Sequence, residues 1–180
     1  IPLIGLSAMF AYERQIGTLR RLLTTPTSRA VYLGGTVIGM VLTALLQMTI
    51  LISFGQVVLN VNWSNSVLAI AMMLVSSTLA AAALGTMLGT LVKTESQANG
   101  LSIMVGMVMA MLGGCWYPLE LFPQTVQNVV RVLPTTWTMQ GMLDIALREQ
   151  GPEGVLLEML VLFAFALVFF LVGIWRFRYE

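Results

Sequence analysis

The chain has no histidine and a single cysteine, Cys115, among 180 residues. Without imidazole it lacks the side chain whose ordinary pKa suits proton shuttling near neutrality, and it lacks a His-based metal site. One cysteine cannot close an intrachain disulfide. Charge is also scarce: Asp, Glu, Lys and Arg make up 9% of the residues, against roughly a quarter in soluble domains. No HExxH or GxSxG motif and no paired intramembrane carboxylates occur, so hydrolytic and metalloenzyme chemistry lack their groups. A GxxxxGK[ST] loop is missing, so the chain has no phosphate loop of its own for ATP. No ionisable residue lies deep inside an apolar run, which removes the usual site of an ion-coupled transporter.

What the chain does have is apolar length. Hydrophobic residues account for 58% of it, and several runs reach the ~20 residues that cross a bilayer. Ten-residue segments of alternating polarity, the mark of a membrane β-barrel, do not appear. The composition predicts an all-α polytopic membrane protein built as one transmembrane domain. Residues 1–11 read as the end of a span and 12–29 as a polar interval. Spans are expected at 31–59, 66–92, 100–116 and 155–175. The chain opens inside an apolar run without Met, so it reads as the C-terminal part of a longer protein.

Residues 117–147 have a different texture. Pro118, Pro123 and Pro134 break helices at short intervals. Val126, Val129, Val130 and Leu133 recur at helical spacing, which predicts a short amphipathic helix over Gln124–Leu133. Thr135–Leu147 reads as a second. Neither can span, so the pair is expected to form a shallow or re-entrant hairpin. Between Lys93 and Asn99 a short polar loop is expected.

Orientation follows from the basic residues. With the polar interval inside, Arg14, Arg20, Arg21, Arg29, Lys93, Arg176 and Arg178 are cytoplasmic and only Arg131 and Arg148 lie outside. Glu120, Asp144, Glu149, Glu153 and Glu158 then fall outside. This places the chain in the plasma (inner) membrane with its C-terminus in the cytoplasm. Two stripes of small residues at intervals of four, Ser77-Ala81-Gly85-Gly89 and Ser102-Gly106-Ala110-Gly114, allow close helix approach. They serve either packing within the chain or a subunit interface. Gln47 and Gln56 interrupt the 31–59 run and either bond a neighbouring helix or line a pathway. Met104, Met107 and Met111 share a helix face, but without His partners they read as adaptable filler. Cys115 reads as a structural thiol.

The polar interval holds four of the nine basic residues. Wound as a helix, Glu13 to Leu23 places Ile16, Leu19, Leu22 and Leu23 on one side and Glu13, Arg14, Gly17, Arg20 and Arg21 on the other. That pattern fits a helix lying along the membrane surface. Thr25 can cap the next helix and Pro26 can occupy its first turn. Such a segment is either a connector whose arginines face anionic headgroups or a docking face for a soluble partner.

The stretch ERQIGTLRRLLTTPTSRAVYLGG resembles the segment with which permeases of the ABC-2 type transporter family enter their coupling helix. The shared features are Glu13-Arg14, Gly17-Thr18-Leu19, Arg21-Leu22-Leu23, Thr25-Pro26 and Ser28-Arg29. About ninety residues on, GGCWYPLELFPQTVQNVVRVLPTTW is similar to the family's Pro-Leu-Glu, Pro, amphipathic helix and Leu-Pro before its last span. The resemblance implies an ABC-2 type exporter transmembrane domain of six spans, with the first and most of the second missing here. It also implies a second permease subunit and a cytoplasmic ATPase that holds ATP and magnesium, so this chain itself carries no cofactor and catalyses nothing. Glu13, Arg14, Gly17, Thr18, Leu19, Arg20, Arg21 and Pro26 would couple to that ATPase. Pro118, Glu120, Pro123 and Pro134 would form an outer lid. Gly85, Gly89, Gly106, Ala110 and Gly114 would pack helices or the dimer. The expected substrate is a small hydrophobic or amphipathic molecule, most like a drug or antibiotic, and no nucleic acid. The rival reading of the same residues is a membrane scaffold that recruits a cytoplasmic protein through its basic helix.

Overall fold

The computed structural model describes residues 2–16, 29–59, 63 and 66–176. Among these residues there are seven α-helices and one 3-10 turn, and no strand. The helices are α1 (Pro2–Ile16), α2 (Arg29–Leu59), α3 (Val67–Leu91), α4 (Glu95–Leu112), α5 (Gln124–Val130), α6 (Pro134–Leu147) and α7 (Leu156–Arg176). The 3-10 turn is Leu119–Leu121. An all-helical build satisfies backbone groups within each segment, which a bilayer interior demands.

Among the described residues, three helices are long and apolar enough to cross a membrane: α2 over Gly34–Val58, α3, and α7 over Leu156–Trp175. Helix α3 is the axis of the bundle. It packs against α7, α1, α2, α6 and α4, and 44% of its most apolar 18-residue stretch is buried, against 6% of the corresponding stretch of α2. Its sequence explains the position: Ser76, Thr78, Ala80, Ala82, Ala83, Gly85 and Gly89 are small and buried, so neighbouring backbones come close. The N-terminus is fixed by Ser66, whose hydroxyl accepts from the Ala69 N–H at 3.3 Å.

Helix α1 lies in the cleft between α3 and α4. Leu6, Ser7, Phe10 and Ala11 are buried, a stripe with helical spacing. Leu6 and Phe10 pack with Ala82, and Ala11 packs with Val92 and Ala98. A Cβ on Gly85 would lie 2.7 Å from the Leu3 carbonyl oxygen, and one on Gly89 would lie 3.1 Å from the Phe10 Cβ. A Cβ on Gly106 would lie 3.3 Å from Leu3 Cδ2. Both small-residue stripes are therefore taken up, at these positions, by packing on α1 within the chain. Ser7 Oγ donates to the Ile4 carbonyl at 3.0 Å and meets Ser102 Oγ at 2.6 Å. With the Ser7 proton engaged, Ser102 is the donor across the α1–α4 contact.

Several boundaries differ from expectation. Helix α4 begins at Glu95 and ends at Leu112, not at Gly100 and Trp116. Lys93–Asn99 is a cap rather than a loop: Thr94 Oγ1 accepts from the Gln97 N–H at 3.3 Å, and Gln97 Oε1 accepts from the Lys93 N–H at 3.3 Å. This reciprocal arrangement is close to a capping box. Helix α1 runs unbroken through Tyr12 to Ile16, where a change from span to surface helix was expected. Helix α5 stops at Val130, three residues before Leu133.

Helix α2 is mostly exposed along Ile38, Leu42, Leu46, Ile50, Phe54 and Val57. Gln47 and Gln56 lie on exposed positions of it. Thr43, Thr49 and Ser53 each donate to the carbonyl four residues back, at 2.8 Å, so these hydroxyls are satisfied without a neighbour.

Candidate functional site

The Pro-broken segment folds into a helical hairpin against the bundle. Pro123 precedes α5 and its carbonyl accepts from Val126 and Gln127 N–H groups at 2.8 and 3.1 Å. Pro134 occupies the first turn of α6, where a missing N–H costs nothing. Two side chains of α6 reach back to the end of α5. Thr136 Oγ1 donates to the Val130 carbonyl at 2.6 Å, and Trp137 Nε1 donates to the Arg131 carbonyl at 2.7 Å. Thr135 Oγ1 donates to the Met109 carbonyl at 2.7 Å, which ties the hairpin to the last turn of α4. Gly114, at φ 90°, makes the turn out of α4, a left-handed conformation suited to glycine.

Thr136 is fully buried. Thr136→Val keeps the shape but removes one of two hydrogen bonds to the Val130 carbonyl, which still accepts from the Leu133 N–H at 2.9 Å, so it is expected to lower stability by about 0.5–1.5 kcal/mol. Thermal unfolding of the full-length protein in detergent checks this, with Thr138→Val as the comparison, since Thr138 bonds only within its own helix.

Two cavities adjoin this hairpin. One, of about 330 Å³, is polar; Glu120, Gln127, Arg131, Gln140, Asp144 and Glu158 are among its walls. The second, of about 260 Å³, is apolar and includes Leu3, Ala44, Met48, Leu84, Met109 and Met142. Met139 of α6 lines both. The two cavities thus share one side chain while differing in the polarity of their other walls.

Charge in the polar cavity is partly paired. Arg148 Nη1 donates to Asp144 Oδ1 at 2.6 Å, an i,i+4 pair near the end of α6. Glu158, in the first turn of α7, is only 8% exposed. Its Oε2 is buried without a hydrogen-bond partner. Gly141 makes room for Met73 of α3, since a Cβ there would lie 2.8 Å from Met73 Sδ, while Glu158 Cβ, at 3.4 Å, is at ordinary contact distance. Cys115 lines the apolar cavity, and partial desolvation pushes its thiol above the usual range, so it is a weak nucleophile at neutral pH.

The residues expected to form the outer lid split between the cavities. Glu120 lines the polar one and Pro134 the apolar one, while Pro118 and Pro123 set the turns before the 3-10 segment and α5. Of the residues expected to couple to an ATPase, Gly17, Thr18, Leu19, Arg20, Arg21 and Pro26 lie outside the described residues, as does Thr25. Arg14 belongs to the last turn of α1. Glu13 was expected on the charged outer face of a surface helix. It is instead 5% exposed, within a helix packed into the bundle. The paired Asp144 and Arg148, the Trp137 clip and buried Glu158 were not among the expected site residues.

Comparison with known proteins places this architecture. Residues 1–175 match the family model described as ABC-2 family transporter protein. The chain belongs to this family. Among its relatives, the linearmycin resistance permease protein LnrN of Bacillus subtilis (strain 168) is 25% identical over 97% of this chain and 45% of LnrN. The inner membrane transport permease YhhJ of Escherichia coli (strain K12) is 29% identical over 92% of this chain and 45% of YhhJ. This ABC-2 chain thus spans about half the length of these curated relatives. No solved structure matches it. An ABC-2 permease is a multi-pass membrane protein, in keeping with the three long apolar helices.

Proposed function

We propose that the chain is a membrane-embedded part of an ABC-2 exporter subunit that converts ATP hydrolysis by a partner ATPase into efflux of a hydrophobic or amphipathic molecule. The observation that carries this reading is the family match over residues 1–175. The way α1 is held supports it. This helix enters the polar interval directly, and from Pro2 to Phe10 it is held against α3 through backbone-close contacts at Gly85 and Gly89. A push delivered at the Ile16 end of α1 would therefore reach the bundle axis through one helix.

In this reading the segment from about Arg14 to Leu23 contacts the ATPase through Arg14, Arg20 and Arg21, with Gly17 permitting close approach. Glu13, being buried, acts as an anchor of α1 and not as a docking charge. The hairpin from Pro118 to Pro134 closes the far side over the two cavities, which form the end of the pathway. A second permease subunit completes the wall. Outward opening requires the ATP-bound ATPase to favour the outward state by differential contact energy.

Gly17→Pro tests the coupling role. Proline inside a helix removes one hydrogen bond and costs about 3 kcal/mol, so the docking helix should break while the spans still insert. The expected result, in the full-length permease reconstituted with its ATPase, is loss of substrate-stimulated ATP hydrolysis with normal membrane abundance. Full coupled transport in this variant would remove the helix from the mechanism. A scaffold would instead retain ATPase-independent recruitment and show no transport in the wild type.

A further inference from the structure

We infer that the polar cavity between the α5–α6 hairpin and α7 is a binding site for an organic ammonium group, with the Glu158 carboxylate as its counter-ion. Three observations converge. Glu158 is 8% exposed, yet its Oε2 has no hydrogen-bond donor within reach. A buried carboxylate oxygen without a donor is costly, and the cavity it lines offers the space for one to enter. The terminal torsion of a Glu side chain is soft, so either oxygen can turn to the cavity.

The charge balance of the walls points to a monocation. Glu120, Asp144 and Glu158 face Arg131 and Arg148, which leaves one negative charge. Arg148 already neutralises Asp144 at 2.6 Å, so the uncompensated charge centres on Glu158 and Glu120. An inorganic dication lacks ligands here: among the described residues no group of three or more His, Cys, Asp or Glu could hold a metal. An ammonium group supplies both the positive charge and the N–H that Oε2 lacks. The Trp137 ring lies in the same wall, held by its bond to the Arg131 carbonyl, and an aromatic face favours a cation. The apolar cavity across Met139 then takes the hydrocarbon part of an amphipathic amine.

The source of the amine is either a soluble amphiphile or the ethanolamine headgroup of a lipid. Neither requires an ATPase, so binding is measured on the full-length permease alone, in nanodiscs of phosphatidylcholine, with octylammonium and 1-octanol as probes. Failure of the transport reading would leave this result standing. The expected outcome is saturable octylammonium binding that Glu158→Gln weakens about tenfold or more, with octanol affinity changed less than about twofold. Glu158→Gln keeps the size of the side chain, and its thermal unfolding should match the wild type. Arg131→Gln makes the cavity more negative and should tighten octylammonium binding, a gain that misfolding cannot mimic. Competition when phosphatidylethanolamine is added to the nanodisc supports the site and assigns it to lipid; undiminished binding supports the site and assigns it to the soluble amine. Equal affinity of Glu158→Gln and wild type for octylammonium, no saturable binding at all, or unchanged or weaker binding by Arg131→Gln would overturn the inference.

Discussion

Gly85→Val is expected to separate α1 from α3 and to lower the stability of the full-length permease by about 1–3 kcal/mol or more. The reason lies in what the new atoms meet. A Cβ at Gly85 falls 2.7 Å from the Leu3 carbonyl oxygen and 2.9 Å from that of Pro2. Both are backbone atoms of a helix and cannot swing aside as a side-chain tip would. Valine adds two more carbons in the same space. The two helices must part, and close approach is what holds them, because lipid supplies no hydrophobic drive between apolar helices. A graded series makes the test sharper. Gly89→Ala meets its nearest atoms at 3.1 and 3.2 Å, and should be milder than Gly85→Ala. Gly100→Ala, with nothing within 4 Å, should be neutral or slightly stabilising through helix propensity. Unfolding midpoints in detergent, read by size-exclusion profile after heating, give the order. Equal midpoints for the Gly85 and Gly100 variants would contradict the α1–α3 contact.

The largest functional effect is expected from reversing Arg20 and Arg21 together to Glu. If these side chains meet acidic groups of an ATPase, the reversal turns two attractions into two repulsions, and like charges across an interface cost several kcal/mol. Coupled transport should fall to background while the permease remains in the membrane. Two measurements separate docking from lipid contact. Co-purification of the ATPase should be lost, and it should return when acidic residues of the ATPase cleft are changed to Lys. The wild-type complex should also weaken with salt, since exposed charge pairs are screened within about 10 Å at 0.1 M. If the arginines only face headgroups, the complex survives the reversal and the coupling role falls.

Much of the bundle was legible from periodicity. Apolar length identified α2, α3 and α7, and the spacing of Val126, Val129 and Val130 between prolines identified α5. The start of α4 was harder. Glu95, Ser96, Gln97 and Asn99 read as a polar loop, because a cap and a loop use the same residue types. The bond from Gln97 N–H to Thr94 Oγ1 is what separates them. The small-residue stripes announced close packing, but spacing cannot name the partner, and α1 could be identified only in three dimensions. Glu13 was misplaced for a related reason. A charged residue beside arginines looks solvated, whereas α1 continues past Tyr12 and carries Glu13 into the bundle. The candidate site was the least legible part. Asp144 and Arg148 stand at a spacing that suggests a pair. Glu158, by contrast, joins the cavity only through the packing of α7 against α6, which no spacing in the sequence announces.

The three hydroxyls of α2 that bond back to their own helix have a mechanical consequence. Thr43, Thr49 and Ser53 carry no cross-links to other helices through these bonds, while Ser7 and Ser102 pin α1 to α4. The bundle is therefore latched on one side and smooth on the other. A twist delivered through α1 would drag α3 and α4 together as a block, and α2 could roll past them without any of these bonds having to break.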